Sequence, residues 1–182
     1  MGIEFDAASA TLARAQGFEV RIGSIDSAEV APHSVDQITM SHVIEHLHDP
    51  VATLRRLREW LRPSGRLWLQ TPNIDSSGAN RYGACWRGLE PPRHLVMFNA
   101  GSLRLALHSA GFESVELLAP QLDAQFYIGQ SEAIRSGLDP YQLSRDARRA
   151  ARGEGRAWDL AALERPEQAE SLTMIAFRTP QR

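Results

Sequence analysis

Residues 35–50 read Val-Asp-Gln-Ile-Thr-Met-Ser-His-Val-Ile-Glu-His-Leu-His-Asp-Pro, and this stretch decides the fold. Its first half, Val35 to Ser41, is predicted to be a β-strand. Its end, Asp49-Pro50, predicts a helix start, because Asp accepts hydrogen bonds from unpaired backbone N–H groups and Pro fits the first turn. Three histidines and a glutamate are therefore expected in the turn between a strand and a helix.

Predicted strands and helices alternate on both sides of this stretch. Strands are predicted at residues 2–6, 18–22, 67–71, 113–118 and 172–178, and helices at residues 7–16, 50–61 and 102–110. The alternation predicts an α/β fold with a doubly wound, mostly parallel sheet, in which ligands bind at the carboxyl ends of the strands. Right-handed crossovers would bring four strand ends to one crevice. These ends are Glu4, Gly23-Ser24, Ser41-His42 and Thr71-Pro72-Asn73.

Composition restricts the function. The 182 residues suffice for one domain with a core, and the net charge of −2 implies no bulk attraction to nucleic acid or anionic lipid. All twenty basic residues are arginine, which excludes a Schiff-base lysine. A single cysteine, Cys85, excludes an internal disulfide. With no membrane-spanning run and no signal peptide, a cytoplasmic protein is expected.

Two stretches depart from the regular alternation. Residues 74–96 are predicted to be a long loop rich in Gly, Pro and Arg, and loops of this length are usually functional. Residues 121–170 are polar and rich in Arg, with helices predicted at 126–135 and 141–152. We therefore expect a core of residues 1–120 plus 171–182, with 121–170 as a helical insertion or cap.

Four segments carry a family resemblance. They are Gly-Ile-Glu-Phe-Asp at 2–6, the stretch at 35–50, Leu-Arg-Pro-Ser-Gly-Arg-Leu-Trp-Leu-Gln-Thr-Pro-Asn at 61–73, and Pro-Pro-Arg-His-Leu-Val-Met-Phe at 91–98. Together they resemble class I S-adenosylmethionine-dependent methyltransferases, and most closely the small-molecule group that includes the ubiquinone-pathway O-methyltransferases. The resemblance implies a Rossmann-like sheet with an antiparallel last strand. It also implies S-adenosylmethionine as cofactor and a small-molecule acceptor that is methylated on oxygen.

The resemblance also assigns cofactor contacts by position. Glu4 would accept hydrogen bonds from the ribose hydroxyls, as a carboxylate can. The turn at 23–25 would contact the adenine, and Ser41-His42 would approach the methionine part. The implied cofactor-binding residues are Glu4, Phe5, Gly23, Ser24, Ile25, Ser41 and His42.

The sequence departs from the family at its start. The family fold begins with a strand and a Gly-rich cofactor loop, whereas this sequence opens at the second strand. The expected first strand would lie between the strands at 2–6 and 35–41. We therefore expect a product truncated at its N-terminus, in which those two strands lack a common neighbour. A segment of a partner chain could fill the gap, which makes a homo-oligomer one expectation. A catalytically inactive fragment is the alternative function.

Two histidines are candidates for the catalytic base that deprotonates the acceptor. Pro91 and Pro92 stiffen the backbone before Arg93-His94, which would hold His94 beside the crevice. An imidazole with a pKa near 6.5 suits proton removal during methyl transfer. His94 is therefore the first candidate and His46 the second. Tyr82 and Trp86 have two open roles: they wall the acceptor pocket, or they anchor the loop, as aromatic residues in loops as often do.

Residues 42–46, His-Val-Ile-Glu-His, fit the pattern of one group of zinc peptidases. On a helix, His42 and His46 would face the same side, so a metallohydrolase using His42, Glu45 and His46 is a further alternative. Some ubiquinone-pathway relatives hold a divalent ion with an acid at the His42 position, and the imidazole is a poor substitute for a hard cation. We therefore assign no metal and expect Glu45 and His46 to orient the neighbouring loop by hydrogen bonds.

Five arginines between Arg145 and Arg156 raise the alternative of RNA binding. Asp146 and Glu154 dilute this charge, and no stacking aromatic residues are interleaved. A solvated helix face is the preferred interpretation, so neither nucleic acid nor a membrane is expected as a partner.

Overall fold

A computed structural model describes residues 1–179 of the chain. The strands of this part are β1 (Gly2–Glu4), β2 (Val20–Ile22), β3 (Val35–Ser41), β4 (Leu61–Pro72), β5 (Ser114–Leu117) and β6 (Ser171–Phe177). Its α-helices are α1 (Ala7–Ala15), α2 (Pro50–Trp60), α3 (Ser77–Tyr82), α4 (Ala100–Ser109), α5 (Ala124–Arg135) and α6 (Arg145–Glu164).

The strands form two hydrogen-bonded sheets. β1 pairs with β2 in parallel, and the larger sheet has the order β3-β4-β6-β5. β3 and β4 are parallel, whereas β6 is antiparallel to both of its neighbours, which confirms the α/β fold with an antiparallel last strand. Within residues 1–179, β1 and β3 each have one hydrogen-bonded neighbour. These are the two strands that were expected to lack a common partner.

The main core fixes the position of β3 and β4. Leu67 and Leu69 of β4 are buried against leucines of the flanking helices, among them Leu54 of α2 and Leu103 of α4. Full burial of one such side chain contributes about 1.5–3 kcal/mol. Ile3, the middle residue of β1, packs against the same core. The carboxyl ends of β3 and β4 are thus held rigidly at one edge of the sheet.

The boundaries of β4 differ from the sequence prediction. The strand starts at Leu61, directly after α2, and not at residue 67. Val35 pairs with Leu61 but Gln37 pairs with Arg66, so residues 62–65 bulge out of the ladder. Pro63, which has no amide hydrogen, and Ser64, with a φ of 66°, are accommodated in this bulge. Pro63 and Ser64, which are typical turn residues, therefore lie within the bounds of β4.

The two irregular stretches are more helical than predicted. Residues 77–82 form α3, followed by short 3₁₀ turns at 83–85 and 87–89. In the second stretch, α6 runs to Glu164 although it contains Gly153 and Gly155. A Cβ at Gly155 would lie 2.6 Å from the backbone nitrogen of Gln125, so this glycine permits close packing of α6 on α5. Each helix between residues 1 and 179 is too short or too polar to cross a membrane.

Candidate functional site

A cavity of about 550 Å³ opens at the carboxyl ends of β3 and β4. His42 and His46 follow β3 and Pro72 ends β4, while the remaining lining comes from residues 87–94 and from the insertion. The lining residues are His42, His46, Pro72, Arg87, Gly88, Glu90, Arg93, His94, Asp123, Phe126, Tyr127, Gln130 and Tyr141. The sheet edge, the predicted functional loop and the predicted cap thus meet at one site.

The turn after β3 is held in an unusual backbone conformation. His42 has a φ of 51°, the left-handed region, and its amide donates to the Gln70 carbonyl over 2.9 Å. Such strain in a residue other than glycine costs of the order of 1–3 kcal/mol and clusters at functional sites. Residues 44–46 then form a 3₁₀ turn that buries Glu45 completely.

Glu45 connects this turn to the loop and to β4. Its carbonyl accepts the amides of Leu95, at 2.7 Å, and Val96, at 3.2 Å. Its Oε2 accepts the Thr71 hydroxyl at 3.0 Å, and His42 Nδ1 lies 3.3 Å from Oε1. Burial alone would raise the pKa of Glu45, but His42 and Thr71 outweigh it and hold the pKa below its usual value. Glu45 is therefore joined to the loop through its backbone carbonyl and to β4 through its buried carboxylate.

Two histidines present a nitrogen lone pair at the site. Nδ1 of His94 lies 2.6 Å from the Gly88 carbonyl, and Nδ1 of His46 lies 2.8 Å from the Arg93 carbonyl. Because a carbonyl only accepts, both Nδ1 atoms carry the proton, and in the neutral imidazole Nε2 keeps the lone pair. Burial lowers the pKa of His94, which favours this neutral form. The two rings lie 4.8 Å apart, edge to face.

The same region could hold a metal ion. Glu45, His46 and His94 each offer one ligand atom, and these atoms lie within 4.8 Å of one another. One carboxylate and two imidazoles suit a borderline divalent ion such as zinc. The metallohydrolase alternative required His42, Glu45 and His46 on one helix. The structure does not place these three residues on one helix, so this expected arrangement is wrong. Residues 44–46 form an isolated 3₁₀ turn, and His94 from the distant loop joins Glu45 and His46 in place of His42.

The loop is clamped by ion pairs beside the cavity. Glu90 accepts from Arg87 at 2.6 Å and from Arg93 at 2.5 Å. Burial would raise the pKa of Glu90, but the adjacent arginines lower it below its ordinary value. Arg87 also donates to Gln130 of α5 and to Tyr141, each at 2.8 Å. Glu90 thus pairs with both guanidinium groups, and Arg87 joins the loop to the insertion.

The residues assigned to the cofactor by resemblance fall into two groups. In the first, the Gly23 amide donates to the Glu4 carbonyl at 3.0 Å, and Glu4 Oε1 accepts the Asp6 amide at 2.8 Å. Phe5 beside them is 83% exposed. Ser24 forms a hydrogen-bonded turn with Ser27.

The second group lies at the end of β3. The Ser41 hydroxyl donates to Oε1 of Gln70 at 3.1 Å, and His42 follows it in the cavity wall. Of the seven assigned residues, His42 lines the cavity, and Ile25 packs against the main core. One crevice lined by all four strand ends was expected, but this cavity takes only the ends of β3 and β4. The reason is that β1 and β2 belong to a separate ladder.

The aromatic wall of the cavity does not come from the predicted loop. Tyr82 and Trp86 are 6% and 1% exposed, in a second core cluster, so of the two roles considered they anchor the loop and do not line this cavity. The aromatic residues of the cavity are Phe126, Tyr127 and Tyr141, all from the insertion. Asp123, one turn before Tyr127, was missed as well. An acid at a helix start followed by two aromatic residues was a usable signal.

Sequence comparisons relate this chain to known proteins. The sequence model of a family described as "Methyltransferase domain" matches residues 3–117. A protein of Mycolicibacterium smegmatis, described as a probable S-adenosylmethionine-dependent methyltransferase, is 29% identical over 120 residues, which are 65% of this chain and 45% of the relative. The ubiquinone biosynthesis O-methyltransferase of Neisseria meningitidis is 38% identical over 48 residues, 26% of this chain and 20% of the relative. The chain thus spans less than half the length of these relatives.

Solved structures share the fold at low sequence identity. A Thermotoga maritima S-adenosylmethionine-dependent methyltransferase, described as a possible histamine N-methyltransferase, superposes with a TM-score of 0.63 at 17% identity, covering 98% of this chain and 73% of that chain. A corresponding methyltransferase of Archaeoglobus fulgidus gives a TM-score of 0.59 at 14% identity, covering 97% of this chain and 74% of that chain. These similarities concern the arrangement of the strands and helices.

Proposed function

Because the chain belongs to the methyltransferase domain family, matched over residues 3–117, we propose that it transfers a methyl group from S-adenosylmethionine to an oxygen of a small molecule. The Mycolicibacterium relative supports this cofactor by its description, and the Neisseria relative supports oxygen as the receiving atom. The observation that carries the proposal is a pair of histidines in the cavity wall, His94 and His46, whose Nδ1 atoms are held by backbone carbonyls so that Nε2 keeps the lone pair.

The residues at the ends of β1 and β2 fit the cofactor. Glu4 uses Oε1 for the Asp6 amide, and its Oε2 makes no hydrogen bond within residues 1–179, so it can accept from a diol. Gly23 has a φ of 149°, and a Cβ there would lie 2.9 Å from the Ser27 hydroxyl, so the turn needs glycine. When bound, the cofactor supplies an electrophilic methyl group on a sulfonium. Glu4 would hold the ribose, and Gly23 and Ser24 would contact the adenine.

His94 is proposed as the base that takes the proton of the acceptor hydroxyl at Nε2. Burial keeps its imidazole neutral before the reaction. Once protonated, Nε2 lies 3.6 Å from Oε2 of Glu90 and 4.0 Å from Oε1 of Glu45, and both carboxylates stabilise the new charge. His46 is the second candidate, because its Nε2 is equally available. General base catalysis of this kind contributes typically about 10²–10⁴-fold in rate.

The insertion supports a small-molecule acceptor. A cavity of about 550 Å³ is within the range that holds drug-sized ligands. Residues 121–170 provide its aromatic wall, and the contact of Arg87 with Gln130 joins them to the loop that carries His94. We propose that these residues cap the acceptor and position it for in-line transfer.

Substitution of His94 tests the function. His94→Ala should lower the turnover of radiolabelled S-adenosylmethionine on a panel of phenolic acceptors by about 10²–10⁴-fold. Its affinity for S-adenosylhomocysteine, measured by calorimetry, should be unchanged. His48→Ala is the matched control, because His48 is an exposed histidine that follows the 3₁₀ turn at residues 44–46. Unchanged turnover in His94→Ala would reject the base role. Failure of the unmodified protein to bind S-adenosylhomocysteine at micromolar concentration would favour the catalytically inactive alternative.

A further inference from the structure

Three polar side chains form a chain of hydrogen bonds at the cavity wall. The Tyr127 hydroxyl lies 3.1 Å from the Ser171 hydroxyl, which donates to Oδ2 of Asp123 over 2.8 Å. A serine hydroxyl has one proton to donate, and Ser171 uses it in the hydrogen bond to the Asp123 carboxylate. Tyr127 must therefore donate to Ser171. The two hydrogen bonds therefore run in one direction, from Tyr127 through Ser171 to Asp123. They hold Oδ2 of Asp123 in a fixed position.

The other oxygen of Asp123 is left without a partner. Oδ1 is buried and makes no hydrogen bond within residues 1–179, although the residue lines the cavity. A buried acceptor without a donor costs about 1–3 kcal/mol. An oxygen of this kind, in the wall of a cavity large enough for a ligand, is suited to a donor that the ligand supplies.

Asp123 also lacks the structural role that its position suggests. Asp6 and Asp49 stand at the same position before α1 and α2, and each accepts the amide of the residue three further on. Asp123 precedes α5 in the same way, but its side chain does not cap the helix. The first amide of α5, that of Ala124, is bound by Asp159 of α6 at 3.1 Å instead. The carboxylate of Asp123 is thus directed away from its own helix.

The charges around Asp123 come from three neighbouring elements. Burial, together with the charge of Asp159 of α6, raises the pKa of Asp123 to about 6, although the Ser171 hydroxyl and His42 after β3 oppose the shift. Glu170, before β6, is a second acid whose pKa is raised in part by the charge of Asp123. At neutral pH the carboxylate is mainly ionised. A negative carboxylate in the cavity wall with one unpaired oxygen favours a ligand O–H or N–H group.

We propose that Asp123 is a substrate-binding residue that accepts a hydrogen bond from a second hydroxyl or amino group of the methyl acceptor. The proposal rests on the proposed function, because it places the acceptor in the cavity that contains His94. An acceptor with two donor groups presents one hydroxyl to His94 and the second donor to Oδ1 of Asp123. Asp123 thereby selects among small phenols of equal size.

Three phenols of similar shape test this selection. 4-Hydroxybenzyl alcohol and 4-hydroxybenzylamine carry a second donor, whereas 4-ethylphenol replaces it with a methyl group. Their dissociation constants are measured by ligand-observed NMR, with and without S-adenosylhomocysteine. We expect at least one donor-bearing probe to bind ten times or more tightly than 4-ethylphenol. This preference should be lost as the pH falls through about 6, and whether the alcohol or the amine binds better identifies the donor.

Variants separate this role from a structural one. Asp123→Asn should reduce the preference to less than threefold while leaving the affinity for 4-ethylphenol unchanged, and Ser171→Ala should weaken the preference partly. Asp159→Asn, the matched control, removes a neighbouring charge outside the cavity lining and should keep the preference. Equal binding of all three phenols by the unmodified protein, or no binding of either donor probe, would overturn the proposal. Loss of S-adenosylhomocysteine binding in every variant and in the unmodified protein would instead count against the proposed function.

Discussion

Glu170 is expected to make the stability of the protein depend on pH. It is 3% exposed and accepts the Trp86 indole at 2.9 Å, the Gly78 amide at 2.7 Å and the Ser76 hydroxyl at 3.2 Å. These contacts tie the segment after β4 to the start of β6. In spite of the three donors, burial raises the pKa of Glu170 from 4.5 to about 7.

The sign of the effect follows from proton binding. The folded protein holds the Glu170 proton more tightly than the unfolded chain does, so this contribution to stability is complete below pH 4.5 and is lost as the pH rises through about 7. Each pH unit inside this window changes the free energy of unfolding by at most about 1.4 kcal/mol. Between pH 5 and pH 8 the loss attributable to Glu170 is therefore about 2–3 kcal/mol.

Glu170→Gln removes the titrating group and keeps the shape of the side chain. Urea unfolding followed by circular dichroism at pH 5, 6, 7 and 8 gives the free energy of unfolding of both proteins. The difference between them should move by about 2–3 kcal/mol in favour of the variant as the pH rises. The remaining titratable groups are common to both proteins, so most of their contribution cancels in this difference. Glu164→Gln, at an exposed acid of α6, is the control. A difference that does not change with pH would refute the reasoning.

Two further predictions concern packing and the cofactor. Gly155→Ala should destabilise the protein by about 1–3 kcal/mol, because the new Cβ would meet the Gln125 backbone at 2.6 Å. In the same helix, Gly153→Ala meets nothing within 4 Å and should stabilise by up to about 1 kcal/mol; urea unfolding in which both changes act alike would contradict the packing argument. Glu4→Gln should weaken S-adenosylhomocysteine binding by about ten- to a hundredfold in calorimetry, because hydrogen bonds to a charged group contribute about 1.5–3 kcal/mol. Glu19→Gln is its exposed control, and equal affinities in the two variants would exclude Glu4 from the cofactor site.

Signals confined to a few neighbouring residues were readable from the sequence. β3 spans Val35 to Ser41 as predicted, and Asp49 caps α2 through the amide of Ala52 at 2.9 Å. The cap joins residues three positions apart, and the extent of β3 is marked by the composition of the strand itself. By contrast, β4 continues through Pro63 because Val35 and Gln37 of the partner strand pair on either side of a bulge. A bulge of this kind depends on register with a second strand, which local composition does not specify.

The candidate site shows the same limit. His94 and His46 were identified from residue type and position, but their usable nitrogens are set by the carbonyls of Gly88 and Arg93, which any residue could supply. The role of Trp86 stayed open, because a Trp in a loop can either line a pocket or anchor the loop. The deciding contact is its indole N–H to Glu170, 84 residues further along the chain.

The role of the histidines in residues 35–50 therefore depends on contacts with residues elsewhere in the chain. A catalytic base and a metal ligand would use the same Nε2 lone pairs of His46 and His94, so the two roles exclude each other at a given moment. Burial lowers the pKa of His94 and leaves its lone pair free at neutral pH, which suits proton removal without any ion. In the proposed role, Glu45 and Glu90 would stabilise the protonated ring from 4.0 and 3.6 Å. Membership of the methyltransferase family favours the role of catalytic base over that of metal ligand. Transfer of an electrophilic methyl group requires a positioned and deprotonated acceptor more than a Lewis acid.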